Sequence, residues 1–336
     1  MAGHDDHATG FHGPRCWAAS AAAGAVLGVL ASWLVPGVYP AGSATPVVPL
    51  WLVTPFAMLL LSIAVMPFLA PRFWHRHYPD VALFLGGLVA AYFLGAFGTP
   101  GYRSGHSFGA DGMLHAGLEY YSFIALVGGL YLASGGIAVE VRGRGGPAFN
   151  TLVLAGGALL ANLVGTTGAS VLLVRPFMRM NAGRLTPMHV VFFILIVSNC
   201  GGSLTPIGDP PLYLGYLKGV PFFWTVGNLW ADWLVVVGGL LAAFFVFDRR
   251  VGPVVHRPGV HPEPSPTLDA PPGLRVRGWL SVLGLLLLVG GVFVDPVLKG
   301  TPAEGYPVGA TLQILVAAAT FVMAGGEARR ANGFTL

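Results

Sequence analysis

Ser198-Asn199-Cys200-Gly201-Gly202-Ser203-Leu204-Thr205-Pro206-Ile207-Gly208-Asp209-Pro210-Pro211 interrupts a long apolar region. Val190 to Val197 precedes it and Leu212 to Leu217 follows it, both largely apolar. Three prolines and three glycines in these fourteen residues cannot continue a helix. Backbone groups freed inside a bilayer need partners, so such a break persists where protein buries it or where it lines a wet cavity. Two half-helices meeting at an unwound, polar, Asp-bearing centre are how secondary transporters build midplane ion and substrate sites. A Pro/Gly kink with a polar loop near the surface is the plainer alternative, but loops rarely carry apolar flanks of this length.

The composition agrees with a membrane location. The 336 residues are 54% hydrophobic, with a mean hydropathy of +0.71. Charged residues make up 10%, against roughly 25% in soluble domains, which indicates an all-α polytopic membrane protein and not a soluble domain with an anchor. The net charge of +4 therefore bears on topology, not on nucleic acid. Cys16 and Cys200 are far apart and lack CxxC spacing, which supports neither a disulfide framework nor a zinc site.

Residues 1–16 form a polar tail with His4, Asp5, Asp6, His7 and His12, read as a solvated arm with metal binding as the alternative. Segment 17–49 opens with an apolar run, 17–35, long enough to span. Its basic start and the small residues Ala41-Gly42-Ser43-Ala44 also suit a signal peptide; a retained helix is preferred. Further spans are expected at 50–70, 81–98, 119–138, 222–247, 278–296 and 307–324, with the broken segment at 188–218. Residues 248–277 are Pro-rich and polar and read as a linker outside the membrane.

Topology turns on segment 147–174, which carries Asn162-Leu163-Val164-Gly165-Thr166-Thr167-Gly168 at its centre. If it enters and leaves on one side, and Arg15 is cytoplasmic, 15 Lys and Arg residues lie inside and only 3 outside, at Arg103, Lys218 and Lys299. If it crosses, the split becomes 7 inside against 11 outside. The positive-inside rule selects a re-entrant hairpin, with the N-terminus and the 248–277 linker cytoplasmic in a cell (inner) membrane. Each arm of about 12 residues rises about 18 Å, enough to reach the middle of a hydrocarbon core about 30 Å thick. The hairpin tip and the break at 198–211 then meet at one depth.

Asn162, Thr166 and Thr167 offer oxygens at the tip. Ser198, Asn199, Ser203 and Thr205 add more from the break, with backbone carbonyls exposed at Gly201 and Gly202. Such hard, neutral ligands suit a small cation such as sodium, aided by half-helix C-terminal dipoles. Half-helix N-termini could instead face an anionic substrate. Asp209 is the one carboxylate in either break and is a functional candidate, with helix capping as its structural alternative. Glu119 reads as a helix-dipole carboxylate, Asp232 as interfacial and Asp295 as solvated. His75 and His77 read as part of a cytoplasmic loop, and Trp224, Trp230 and Trp233 as an aromatic belt. With no phosphate-binding glycine loop, no HExxH, no nucleophile–base pair and no paired His in the spans, an enzyme is not expected.

The string from Ser198 to Asp209 resembles the NhaD-type sodium/proton antiporters of the ion transporter superfamily, which also holds arsenite permeases and citrate and dicarboxylate carriers. The shared pattern is Asn-x-Gly-Gly followed by Thr205-Pro206-Ile207-Gly208-Asp209. The hairpin centre, Asn162 with Thr166 and Thr167, is similar to the family's Asn-bearing tip, and the resemblance covers roughly 50–250. It implies two inverted repeats, each with a re-entrant hairpin and a broken helix, usually in a homodimer. Asn162, Thr166, Thr167, Asn199, Thr205 and Asp209 would line one cation site. On this scheme 50–247 is the first repeat and 278–336 the start of a second that is incomplete, so the chain is expected to be C-terminally truncated. Two departures weaken proton antiport specifically: Ala161 stands where the antiporters carry Asp, and Pro210 and Pro211 stand where they carry Thr.

The leading expectation is therefore an ion-coupled secondary transporter, sodium/proton antiporter-like, with no cofactor and with sodium and protons as coupling ions. The alternatives are a sodium-coupled carrier of citrate or another small anion, and a non-transporting membrane subunit. The expected partners are the bilayer and a small inorganic cation or small anion; nucleic acid is not among them.

Overall fold

The computed structural model of the protein describes residues 13–41, 45–98, 100–103, 106–142, 145–251 and 273–323. The tail with His4 to His12, most of the Pro-rich linker and the C-terminal Asn332 to Leu336 lie outside the described residues. Among the described residues, six helical segments are long and apolar enough to cross a membrane: Pro14–Leu34, Leu50–Leu69, Pro71–Ala96, Phe108–Gly135, Pro147–Met180 and Trp224–Arg250. The chain divides into two compact units, Met1–Gly117 and Leu118–Leu336.

The first unit holds α1 (Pro14–Leu34), α2 (Thr54–Leu69) and α3 (Pro71–Ala96). β1 (Pro100–Arg103) pairs antiparallel with β2 (His106–Ser107) before α4 (Phe108–Gly135) begins. α1 runs parallel to α3 at close range, because Gly24 and Gly28 let the two backbones touch. A Cβ at these positions would fall 2.0 Å from the Phe84 carbonyl oxygen and 2.3 Å from that of Leu88. The Tyr92 hydroxyl closes the far end of this contact by donating to the Val35 carbonyl at 3.0 Å. α3 starts ten residues before the expected 81, so His75 and His77 belong to its first turns and not to a loop. Pro71 at the first helical position pre-sets the helix there, and hydropathy alone misses a helical turn made of polar residues.

The same effect moves the start of α4 from 119 to Phe108. Glu119 therefore opens no helix. It accepts a hydrogen bond from the Lys218 ammonium at 2.5 Å.

In the second unit, α5 (Pro147–Met180) is a helical hairpin. A straight helix of its 34 residues would part its ends by about 50 Å. Instead the Gly145 amide donates to the Met180 carbonyl at 2.7 Å, and Asn150 and Asn181 exchange side-chain hydrogen bonds at 2.8 and 3.0 Å. The turn is Gly165, at φ 78° and ψ 154°, a backbone region open essentially to glycine alone. The arms, 147–164 and 166–180, rise about 27 and about 22 Å and are longer than the expected 18 Å. The second arm continues past Val174, through Arg175 and Pro176, to Met180, and Phe177 and Met180 bury their side chains in the core there.

After the hairpin come α6 (Pro187–Phe193), α7 (Pro210–Leu217) and α8 (Trp224–Arg250). α9 (Trp279–Gly291), α10 (Val294–Val297) and α11 (Val308–Met323) close the described chain. The stretch expected as a linker is structured at both ends. α8 runs through Arg250, and β4 (Gly273–Arg277) pairs antiparallel with β3 (Ala138–Arg142), from Ala138 opposite Arg277 to Arg142 opposite Gly273. The period-two run Leu274-Arg275-Val276-Arg277 carries the strand signal but is too short to stand out among prolines. Asp295 is not simply solvated: its Oδ1 accepts the Gly309 amide at 2.7 Å, at the start of α11.

Contacts within this unit sort the connections into two ends. One end joins Gly145 to Met180, β3 to β4 and Arg184 to Asp248. The other joins Glu119 to Lys218, Tyr121 to Thr311 and Asp295 to Gly309. That sorting is the one a hairpin at α5 requires.

Candidate ion and substrate site

The break is assembled in steps. Thr186 and His189 form a capping box that starts α6, and the helix widens to a π turn over Ile194–Asn199. It then tightens to a 3₁₀ turn over Cys200–Gly202 and unwinds through 203–209. Pro210 and Pro211 restart it as α7. A π turn releases backbone groups from the helical ladder and is frequent at functional sites. Gly202 and Gly208 lie backbone to backbone; a Cβ on Gly208 would fall 2.0 Å from the Gly202 oxygen.

The hairpin tip is laced to this break. Asn162 Nδ2 donates to the Gly201 carbonyl at 2.6 Å and to the Ala158 carbonyl at 3.0 Å, while its Oδ1 accepts the Leu204 amide at 3.0 Å. Thr205 Oγ1 donates to the Asn162 carbonyl at 2.6 Å and accepts the Gly208 amide at 3.1 Å. Across the turn, the Thr166 amide donates to the Gly208 carbonyl at 3.2 Å. Ser170 and Ser198 share a hydroxyl–hydroxyl bond of 2.7 Å. Ser203 turns its hydroxyl back to the Cys200 carbonyl at 2.9 Å.

Two chemical roles separate. Asn162, Thr205, Ser198 and Ser203 have side-chain groups engaged in holding the breaks together. The Gly201 carbonyl accepts both Asn162 Nδ2 and Trp233 Nε1, at 2.6 and 2.9 Å, so its two lone pairs are occupied. Thr166, Thr167, Asn199 and Asp209 differ: their side chains have no hydrogen-bond partner among the described residues. Asp209 occupies the N-cap position of α7 without a side-chain cap bond. The prolines at the next two positions have no N–H, and the Leu212 and Tyr213 amides turn back to the Asp209 carbonyl at 3.0 and 3.2 Å. The half-buried carboxylate is thus not used as a cap.

α8 supports the break from the side. Thr225 Oγ1 donates to the Leu204 carbonyl at 2.8 Å, beside the Trp233 bond to Gly201. Trp224 and Trp230 are exposed, as a belt requires, but Trp233 is a positioning residue for the break. An indole in a Trp cluster gives no sequence signal for this difference.

At the other end of α6, sequence reasoning missed a buried polar network. Asp248 accepts Arg184 Nη2 at 2.5 Å and His189 Nε2 at 3.1 Å on Oδ1, and Asn150 Nδ2 at 2.7 Å on Oδ2. The backbone amide of Thr186 donates to His189 Nδ1 at 3.2 Å, which fixes the ring proton on Nε2. The Thr186 hydroxyl lies 2.9 Å from the same nitrogen, an order of groups reminiscent of a nucleophile–base–acid chain. Here that hydroxyl also accepts the His189 amide in the capping box, and Asp248 is neutralised by Arg184, so the network reads as a lock. It joins the hairpin base, the start of α6 and the end of α8. Asp248 falls at the edge of the Pro-rich, polar stretch 248–277 that reads as a linker, and His189 stands alone in an apolar run, so neither carries a sequence signal for the network. Among the described residues no three His, Cys, Asp or Glu side chains group as metal ligands.

No curated protein and no solved structure matches the chain. A family model described as "Putative citrate transport" matches residues 45–336. That match supports the citrate-carrier branch of the superfamily and not the NhaD type in particular. A multi-pass helical protein whose hairpin tip is laced to a broken helix, matched over nearly all its membrane segments, belongs to this family of putative citrate transporters.

Proposed function

We propose that the protein is a cation-coupled secondary carrier of citrate or a chemically similar small carboxylate, with sodium as the coupling cation. The observation that carries this reading is the division of labour at the two breaks. Asn162 and Thr205 hold the tips together, while Thr166, Thr167, Asn199 and Asp209 are left with unengaged polar groups. The C-terminal ends of the first hairpin arm and of the 3₁₀ turn at Gly202 favour a cation. The start of the second arm, with Thr166 and Thr167, favours a carboxylate. Asp209 supplies the one formal negative charge for the cation. The hairpin is re-entrant in this reading, and the end with Arg184 and Arg250 faces the cytoplasm.

Binding tests it without transport. The thermal unfolding midpoint of purified protein should rise with citrate in the presence of sodium, and much less in potassium, because ligand bound to the native state alone stabilises it. A midpoint that responds to neither citrate nor sodium contradicts the proposal. A response to sodium alone favours sodium/proton antiport.

A further inference from the structure

A cleft of about 740 Å³ lies between the first arm of the α5 hairpin and α9, and no polar side chain lines it. On the arm its wall is Phe149, Leu152, Gly156, Leu160 and Leu163, one face of a helix. On α9 the facing wall is Val282, Leu286 and Val289, spaced in the same way. Such a lining suits neither citrate nor sodium, because a charge taken out of water needs a polar partner. A space walled by carbon alone stays dry and takes an apolar ligand.

The length of the cleft narrows the ligand. Phe149 to Leu163 is fourteen residues, a rise of about 21 Å. Val139 and Val276, opposite each other in the β3–β4 pair, line its base end. Its other end reaches Val164, beside the turn at Gly165. With the hairpin re-entrant, as proposed above, the cleft runs from the membrane surface to the middle of the bilayer. It covers one leaflet, half of a hydrocarbon core about 30 Å thick. A spanning helix, from this chain or a second copy, would need walls across the whole core. Leu152, Leu163 and Leu286 are exposed along the flank, so the cleft is open sideways to lipid.

The base end has the marks of a membrane surface. Trp279 is exposed one turn before Val282 on α9, as an interfacial anchor requires. Arg175 is exposed one turn past the lining residue Leu172, about 15 Å along the second arm from Gly165. Arg275 is exposed next to the lining residue Val276. The two guanidinium groups bring positive charge to the end where a lipid phosphate would lie. We propose that the cleft holds one acyl chain of a phospholipid from the leaflet on the hairpin-base side, its phosphate toward Arg175 and Arg275.

Native mass spectrometry of the detergent-purified protein, titrated with dioleoyl phosphatidylglycerol, tests the site. A Cβ on Gly156 meets nothing within 4 Å, so Gly156→Phe should fill the cleft without a clash. It should weaken binding about tenfold. Val235→Phe, on the exposed face of α8, should leave binding unchanged. Absence of saturable binding to the unaltered protein, or equal binding by Gly156→Phe, overturns the proposal. A dimer that Gly156→Phe converts to monomer would place a second copy in the cleft and overturn it too. Photolabelling of the unaltered protein decides even if the variant does not fold. Phosphatidylglycerol with a diazirine at the end of one acyl chain should label the peptide holding Leu160 and Leu163. Labelling spread equally over that peptide and α8 overturns the proposal. Citrate binding is not part of either readout, so failure here leaves the transport reading standing.

Discussion

Asn162 and Asp209 use their polar atoms in opposite ways, and their substitutions should separate accordingly. Asn162 has both amide hydrogens and its oxygen engaged with Ala158, Gly201 and Leu204. Asn162→Ala leaves the Leu204 amide without a partner and unlaces the tips, which should cost about 2 kcal/mol of stability and abolish citrate binding. Thermal unfolding and citrate titration of the same preparation check both effects. Asp209 makes no cap bond, so Asp209→Asn should change stability by less than about 0.5 kcal/mol. It should nevertheless remove the sodium dependence of citrate binding. A fall of about 1 kcal/mol in stability with sodium dependence intact would instead identify Asp209 as an ordinary cap. The sequence marked both residues as candidates. It held no sign of which one is engaged, because engagement depends on partners about forty residues away, such as Leu204 for Asn162.

At the scale of elements, the hairpin rests on a turn and a base. Gly165 sits in a backbone region that side chains avoid, so Gly165→Ala should cost about 1–3 kcal/mol and widen the tip. Reduced thermal stability and loss of sodium-dependent binding would check this; an unchanged protein would mean that the turn has another solution. At the base, Asp248 is fully buried with Arg184 and His189. Arg184→Met alone leaves a buried carboxylate short of its counter-charge and should destabilise by about 3–5 kcal/mol. Adding Asp248→Leu should restore part of that stability, since an apolar replacement of a buried pair is often tolerated. Unfolding midpoints of the single and double variants are the readout. The broken helix was legible because prolines and glycines declare themselves locally. The network was not, because Asn150, Arg184, His189 and Asp248 look ordinary one at a time and gain meaning only when the hairpin brings them together.

Over the whole molecule, the charge pattern gives the expectation of a re-entrant hairpin, and the contacts show α5 folded back on itself. Fifteen Lys and Arg residues against 3 selected a hairpin at 147–174, and the bond from Gly145 to Met180 closes that hairpin. Span starts were less legible, since α3 and α4 each begin in polar residues that hydropathy assigns to loops. Single cysteines in a Cys16→Ser/Cys200→Ser background can map the sides with a membrane-impermeant maleimide. Gly146→Cys should label from the same side as Ala182→Cys and Arg249→Cys, with Val220→Cys and Lys299→Cys on the opposite side. Labelling of Gly146→Cys together with Val220→Cys would mean that α5 crosses the membrane.

Uptake of radiolabelled citrate by proteoliposomes under an inward sodium gradient tests the transport reading most directly. The account predicts concentrative uptake that collapses when the gradient is removed and is absent from Asp209→Asn. Proton efflux on addition of sodium with no citrate entry, or citrate uptake equal in the presence and absence of the gradient, would contradict it.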